Sequence, residues 1–179
     1  MTFKPSNSLT ITGNGILREL RCPIVISDAM SDPLTATPGR FANFEAIWDT
    51  GATGSVITQK VVDALQISPV GLTRVLGVNS SQLSEEYLVN FVLPSQVGIR
   101  GVRVTLGQLP GGIEALIGMD IINLGDFHIS NVAGNTVMSF RVPSLEVIDY
   151  VKIGEARQKT QTSNPRGGHR PNPKKPKRR

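Results

Sequence analysis

Cysteine is nearly absent from this chain. Cys22 is the only one among 179 residues, so no intrachain disulfide can form and no cysteine zinc cluster can be built. Its plainest role is that of a small, buried, apolar side chain. Aromatic residues make up only 5%. The 39% hydrophobic content therefore comes mostly from Val, Ile and Leu, which suit strands better than helices. No apolar run approaches the length of a membrane span, and Met1-Thr2-Phe3-Lys4-Pro5-Ser6 lacks the apolar core of a leader. The expectation is a soluble, cytoplasmic protein with no membrane partner. No Ser-His-Asp or Cys-His arrangement stands out. No Gly-Lys-Ser/Thr follows Gly13-Asn14-Gly15 or Gly111-Gly112, so both are turns rather than phosphate loops. His128 and His169 have no third ligand beside them, so no metal and no organic cofactor are assigned.

What is present is punctuation. Eighteen glycines and twelve prolines break the chain into many short segments, as in an all-β domain. The length suits one domain of modest core with appendages. Asn-Gly between the alternating run Ser8–Thr12 and the return Ile16–Leu20 predicts a hairpin. Asn43–Trp48 reads as a strand. Thr58–Leu65 reads as a short amphipathic helix with Thr58 as N-cap. Thr73–Val78 and Tyr87–Leu93 flank a polar tip and predict a second hairpin. Ile99–Leu106 alternates clearly. Ile113–Ile117 reads as a strand and Asp120–Leu124 as a brief helix. Phe127–Ser130 and Thr136–Phe140 complete a small barrel.

Charge is divided unevenly. Residues 1–151 carry a net −4 and residues 152–179 a net +9. The domain reading is 1–150 for the folded part and 151–179 for a basic, Pro-rich tail. Residues 155–179 hold almost no apolar side chains and are expected to be disordered. Solubilising charge is the plain reading of that tail. Weak contact of 155–179 with nucleic acid, the ribosome or another polyanion is the sharper one. No interleaved aromatics are present for base stacking.

The most informative segment is Ala46-Ile47-Trp48-Asp49-Thr50-Gly51-Ala52-Thr53. It sets one carboxylate between an apolar run and a turn of small residues, with Ser55-Val56-Ile57 following. Such a carboxylate sits in a protected cleft, where an enzyme tunes its pKa. The plain alternative is an aspartate capping a turn at a strand end. About seventy residues on lies Leu116-Ile117-Gly118-Met119-Asp120.

The two motifs, in this order and spacing, resemble those of the retropepsin-like aspartic peptidases over roughly residues 9 to 142. The resemblance implies an all-β fold, a small closed acid-protease barrel with one or two short helices, working as a homodimer. It implies that Asp49, Thr50 and Gly51 form the catalytic loop, with Thr50 bonding across the dyad. Ala52 forms cleft wall, and Leu76, Gly77, Val78 and Asn79 belong to the flap over a peptide substrate. Ile117 and Gly118 pack beneath the loop, and Asp120 caps the short helix or holds the loop. Aspartic peptidase chemistry needs two carboxylates. None of Asp28, Asp32, Asp63, Asp120, Asp126 and Asp149 is followed by Thr-Gly or Ser-Gly. Asp49 must then meet its copy from a second chain across a twofold axis.

The chain departs from the viral pattern. Thr53 stands where an acid is usual and Met119 where an arginine is usual, so that interface ion pair is absent. Trp48 is also bulky for its place, and either packs in the core or lines a specificity pocket. Two rival functions follow. One is a peptide-binding module with the same fold and no turnover, and the other a polyanion-binding protein acting through its tail.

Overall fold

Alternating apolar side chains lay down the strands. The computed structural model describes residues 7–29, 40–76 and 81–162. The chain divides into two units, Met1–Leu145 and Glu146–Arg179. The first contains β1 (Asn7–Thr12), β2 (Leu20–Asp28), β3 (Phe41–Trp48), β4 (Val56–Ile57), β5 (Gly71–Leu76) and β6 (Ser81–Leu93). It continues with β7 (Val97–Leu106), β8 (Ala115–Ile117), β9 (Asp126–Ser130) and β10 (Val137–Val142). Two short helices interrupt the strands, α1 (Gln59–Leu65) and α2 (Met119–Ile122).

Six strands close on themselves in the order β2-β3-β8-β4-β7-β6, with β6 pairing back onto β2. Closure satisfies the backbone around the ring and leaves no edge in it. The interior is filled by every second residue. On β3, Phe44, Ala46 and Trp48 point in, and on β7 Val102 and Val104 do so. On α1, Val61, Val62 and Leu65 close one side of the core. The β5–β6 hairpin, with Leu76 opposite Ser81, extends outward from the ring.

Two expectations are corrected here. The predicted hairpin around Asn14-Gly15 does not form. β1 pairs instead with β10, antiparallel, in a separate three-stranded sheet of order β1-β10-β9. The turn residues are bound elsewhere: Gly13 N–H donates to Thr136 O at 2.8 Å, and Gly15 N–H to Asn135 Oδ1 at 3.0 Å. A turn signal fixes where a chain bends, not which strand it meets. For the same reason β9 and β10 lie outside the barrel they were expected to complete.

Thr58 takes the N-cap position of α1, but its hydroxyl makes no cap bond and is buried without a partner. The second unit contains α3 (Tyr150–Thr162), whose residues 155–162 fall in the stretch expected to be disordered. Glu155, Ala156, Arg157, Gln158 and Lys159 are good helix formers. Asp149 Oδ1 accepts the N–H groups of Val151 and Lys152 at 3.0 and 3.1 Å and caps the helix start. These signals are local and need no core. The run Lys174–Arg179 lies outside the described residues. No helix among the described residues is long and apolar enough to cross a membrane.

Candidate active site

β3 and β8 are parallel neighbours, with Trp48 opposite Ile117. Parallel strands in register end at the same edge of the sheet. The residues that follow them, Asp49 and Gly118, are thereby set side by side although far apart in sequence. Asp49 N–H donates to Ile117 O at 3.0 Å and carries the ladder one step further.

The loop then turns back on its own carboxylate. Gly51 N–H donates to Asp49 Oδ1 at 2.8 Å, and Ala52 N–H to Asp49 O at 3.3 Å. One carboxylate oxygen is fixed in this way. Asp49 is half-buried, Ala52 half-buried, and Thr50 and Gly51 are exposed. A Cβ on Gly51 would stand 3.2 Å from Asp49 Oδ1. Its φ lies outside the left-handed region, so what glycine gives here is room beside the carboxylate, not an unusual backbone.

The turn after β8 clamps this loop from below. Met119 N–H donates to Ala52 O at 2.8 Å and Asp120 N–H to Thr53 O at 3.2 Å. Ser55 N–H and Ser55 Oγ–H donate to the two oxygens of Asp120 at 3.0 and 2.8 Å. Ser55 Oγ also accepts the Gly118 N–H at 3.1 Å. Asp120 Oδ1 further accepts Ile121 N–H at 3.0 Å from within the first turn of α2, whose N-cap position is Gly118 and has no side-chain cap bond. Gly118 lies against Gly54 and Ala52: a Cβ there would meet Gly54 O at 2.6 Å.

Ser55 is not singled out by the sequence analysis, where it only opens the segment Ser55-Val56-Ile57. A hydroxyl heading a buried strand was the available signal, since buried polar atoms need partners. Glu114 was missed likewise, inside the run Ile113–Ile117. It is buried, accepting Glu45 N–H at 3.0 Å and the Lys60 ammonium at 2.7 Å. Burial pushes its carboxyl up, but the Lys60 bond and charge together with backbone N–H donors outweigh this. The result is a pKa below the ordinary value.

Trp48 takes the core alternative. Its ring is buried, stacked on Phe127 with centroids 5.5 Å apart and tilted against Phe140 at 5.0 Å. The indole N–H donates to Cys22 Sγ at 3.3 Å. Trp48 therefore joins the barrel to the β1-β10-β9 sheet directly behind Asp49 and does not line the cleft. Of the flap residues, Leu76 ends β5, while Gly77, Val78 and Asn79 lie outside the described residues. Among the described residues, no group of three His, Cys, Asp or Glu is placed to hold a metal ion.

Residues 39–121 match the aspartyl protease family. A retropepsin-like aspartic protease from Rickettsia conorii has a similar fold. It is 12% identical, with 79% of this chain and 99% of that chain covered and a TM-score of 0.50. The simian foamy virus (mac) protease is 13% identical over 57% of this chain and 91% of its own, with a TM-score of 0.39. No curated protein matches. The fold is retropepsin-like, and the family match spans both the Asp49 loop and the turn after β8.

Proposed function

We propose that this chain is an aspartic endopeptidase whose active site is assembled from two copies. The observation that carries the reading is Asp49 itself. Its carboxylate is oriented by the Gly51 N–H, on a loop held from below by Gly118, Met119 and Asp120. That rigidity suits a reacting carboxylate. One chain supplies one Asp-Thr-Gly, and the chemistry needs two carboxylates.

In the assembled site, Asp49 and Asp49 of the partner subunit share one proton, because like charges so close cannot both ionise. The ionised carboxylate takes a proton from water as the oxygen attacks the scissile carbonyl carbon. The protonated carboxyl donates to the carbonyl oxygen. The tetrahedral intermediate then collapses: the C–N bond breaks, the nitrogen takes up a proton, and an acid and an amine leave. Thr50 bonds across the dyad, and Gly51 and Ala52 leave space for substrate backbone. No metal or organic cofactor enters these steps.

The binding-only alternative drew on the bulk of Trp48 and on the missing interface ion pair between the positions of Thr53 and Met119. With Trp48 packed in the core, the first of these grounds falls away and the second remains. The test is cleavage of a mixed peptide library by the purified protein from acidic to neutral pH, beside Asp49→Asn. Cleavage should fall at least ~10³-fold in the variant, the scale of general acid–base catalysis. Sedimentation should show a dimer. Equal cleavage by both proteins sinks the assignment.

A further inference from the structure

An open hollow of about 660 Å³ is lined by Thr12, Asn14, Leu17, Arg18, Glu19 and Arg21 among others. That volume is in the range of sites that take small ligands or side chains. Its wall is fixed rather than loose. Gly13 N–H and Leu17 N–H are tied to Thr136 O and Thr136 Oγ1 at 2.8 and 2.9 Å, and Gly15 N–H to Asn135 Oδ1 at 3.0 Å. The segment that failed to form a hairpin is thus a built surface.

The charges in the hollow do not cancel. Arg21 Nε donates to Glu19 Oε2 at 2.7 Å, and its Nη1 reaches Gly111 O at 3.4 Å. Glu19 and Arg21 neutralise each other. Arg18 is exposed, with no hydrogen bond or ion pair among the described residues. One positive charge is left over. The hollow also has a definite place. The antiparallel ladder between β2 and β3 ends at Leu20 opposite Trp48. One step beyond that rung stand Glu19 on one side and Asp49 on the other. The hollow therefore lies at the Asp49 end of the barrel.

We infer that Arg18 is a specificity-determining residue that receives a carboxylate side chain of the peptide substrate, so that the enzyme favours Asp or Glu at one fixed position from the scissile bond. This rests on the peptidase reading. The guanidinium offers a planar fork of donors that matches a carboxylate, with Thr12 and Asn14 beside it as further polar partners. Because Arg18 is open to solvent, the preference it gives is modest, roughly threefold to tenfold in kcat/KM. It weakens as salt screens the pair.

The experiment compares amidated peptides that differ only in Glu against Gln, scanned through each position around a bond the protein cuts. Wild type should prefer Glu at one position. Arg18→Ala should bring that ratio to about one. Arg18→Glu should invert it toward Lys over Gln at the same position. The unfolding midpoint of each variant, measured alongside, reports that the fold is intact, as expected for an exposed side chain without partners. A Glu preference at no position, or one that survives Arg18→Ala, overturns the inference while leaving the peptidase reading in place. Preference confined to peptides with a free C-terminal carboxylate overturns the side-chain assignment and moves the recognised group to the chain end. A dimeric wild-type protein that cuts nothing in the library removes the peptidase reading and this inference with it.

Discussion

The Ser55 hydroxyl donates to Asp120 Oδ1 at 2.8 Å and accepts the Gly118 N–H at 3.1 Å. One buried hydroxyl thus ties the loop after β3 to the turn after β8. Asp120 accepts from Ser55 N–H, Ser55 Oγ–H and Ile121 N–H. Asparagine has one acceptor oxygen and turns an NH2 group toward a donor. Asp120→Asn should lower stability by about 1 kcal/mol, at the low end because solvent reaches Asp120. It should lower kcat roughly tenfold with KM little changed, as the Asp49 loop loses its position. Urea unfolding and steady-state kinetics check both. An unchanged kcat in a destabilised variant would show that the loop keeps its place without the clamp.

Gly118 is required for space. Its φ of −92° is ordinary extended backbone, which any residue adopts. A methyl group there would meet Gly54 O at 2.6 Å and Ala52 O at 3.1 Å. Both are backbone atoms of the Asp49 loop and cannot swing aside. Gly118→Ala is expected to cost about 1–3 kcal/mol by overpacking and to reduce kcat more strongly than Asp120→Asn. Wild-type turnover in Gly118→Ala would mean that the loop tolerates the displacement.

The site was legible where its signal was local. Asp49-Thr50-Gly51 and Ile117-Gly118 each follow a short apolar run, and the resemblance of the ordered pair to the retropepsin motifs marks both. Their meeting was not readable from either motif, because it depends on the parallel register of Trp48 with Ile117. The hairpin around Asn14-Gly15 failed for a related reason. Its hydrogen-bonding partners, Asn135 and Thr136, lie about 120 residues away, and turn propensity carries no information about them. Ser55 and Glu114 were hidden by averaging. Each is one polar residue in an apolar run, and only its buried partners show its role. The helix α3 was overlooked because a basic, core-free segment was equated with absence of structure, whereas Asp149 and a run of helix formers suffice locally.

Glu114 makes stability depend on pH. Its folded pKa is lowered from an ordinary 4.5. A carboxyl of this kind is ionised in the folded chain at a pH where the unfolded chain still binds a proton. Its contribution is full above the unfolded value and is lost as pH falls through the folded one. Glu114→Gln keeps an acceptor for Glu45 N–H but loses the bond to the Lys60 ammonium. It should therefore cost about 1 kcal/mol near neutral pH. The difference from wild type should shrink as the solution is acidified below about pH 4. Denaturant midpoints measured across that range check the sign. A gap that widens on acidification would place the protonated form of Glu114 in the stable fold.

Cys22 and Trp48 form a pair that hides the only thiol. Burial pushes the Cys22 thiol up to about 11, the Trp48 N–H bond lowers it somewhat, and the charge of Glu45 raises it. A thiol attacks as the thiolate, so the folded protein should resist alkylation at mildly alkaline pH, roughly 10²-fold against an exposed cysteine. Modification should then track unfolding of the core. The linkage has a definite sign. Below the ordinary value of 9.0 the thiol is neutral in both states. Between there and about 11 only the unfolded chain ionises, so stability falls as pH rises through that window. Cys22→Ala removes this dependence but leaves a buried indole N–H without an acceptor, a loss of about 1–3 kcal/mol. Cys22→Ser retains an acceptor and should lose less. Since Trp48 immediately precedes Asp49 and is braced by Phe127 and Phe140, the order Cys22→Ala below Cys22→Ser should appear in catalytic half-life at elevated temperature as well as in unfolding midpoints. Equal stability of the two variants would show that the indole N–H to sulfur bond contributes nothing to holding Trp48 behind the Asp49 loop.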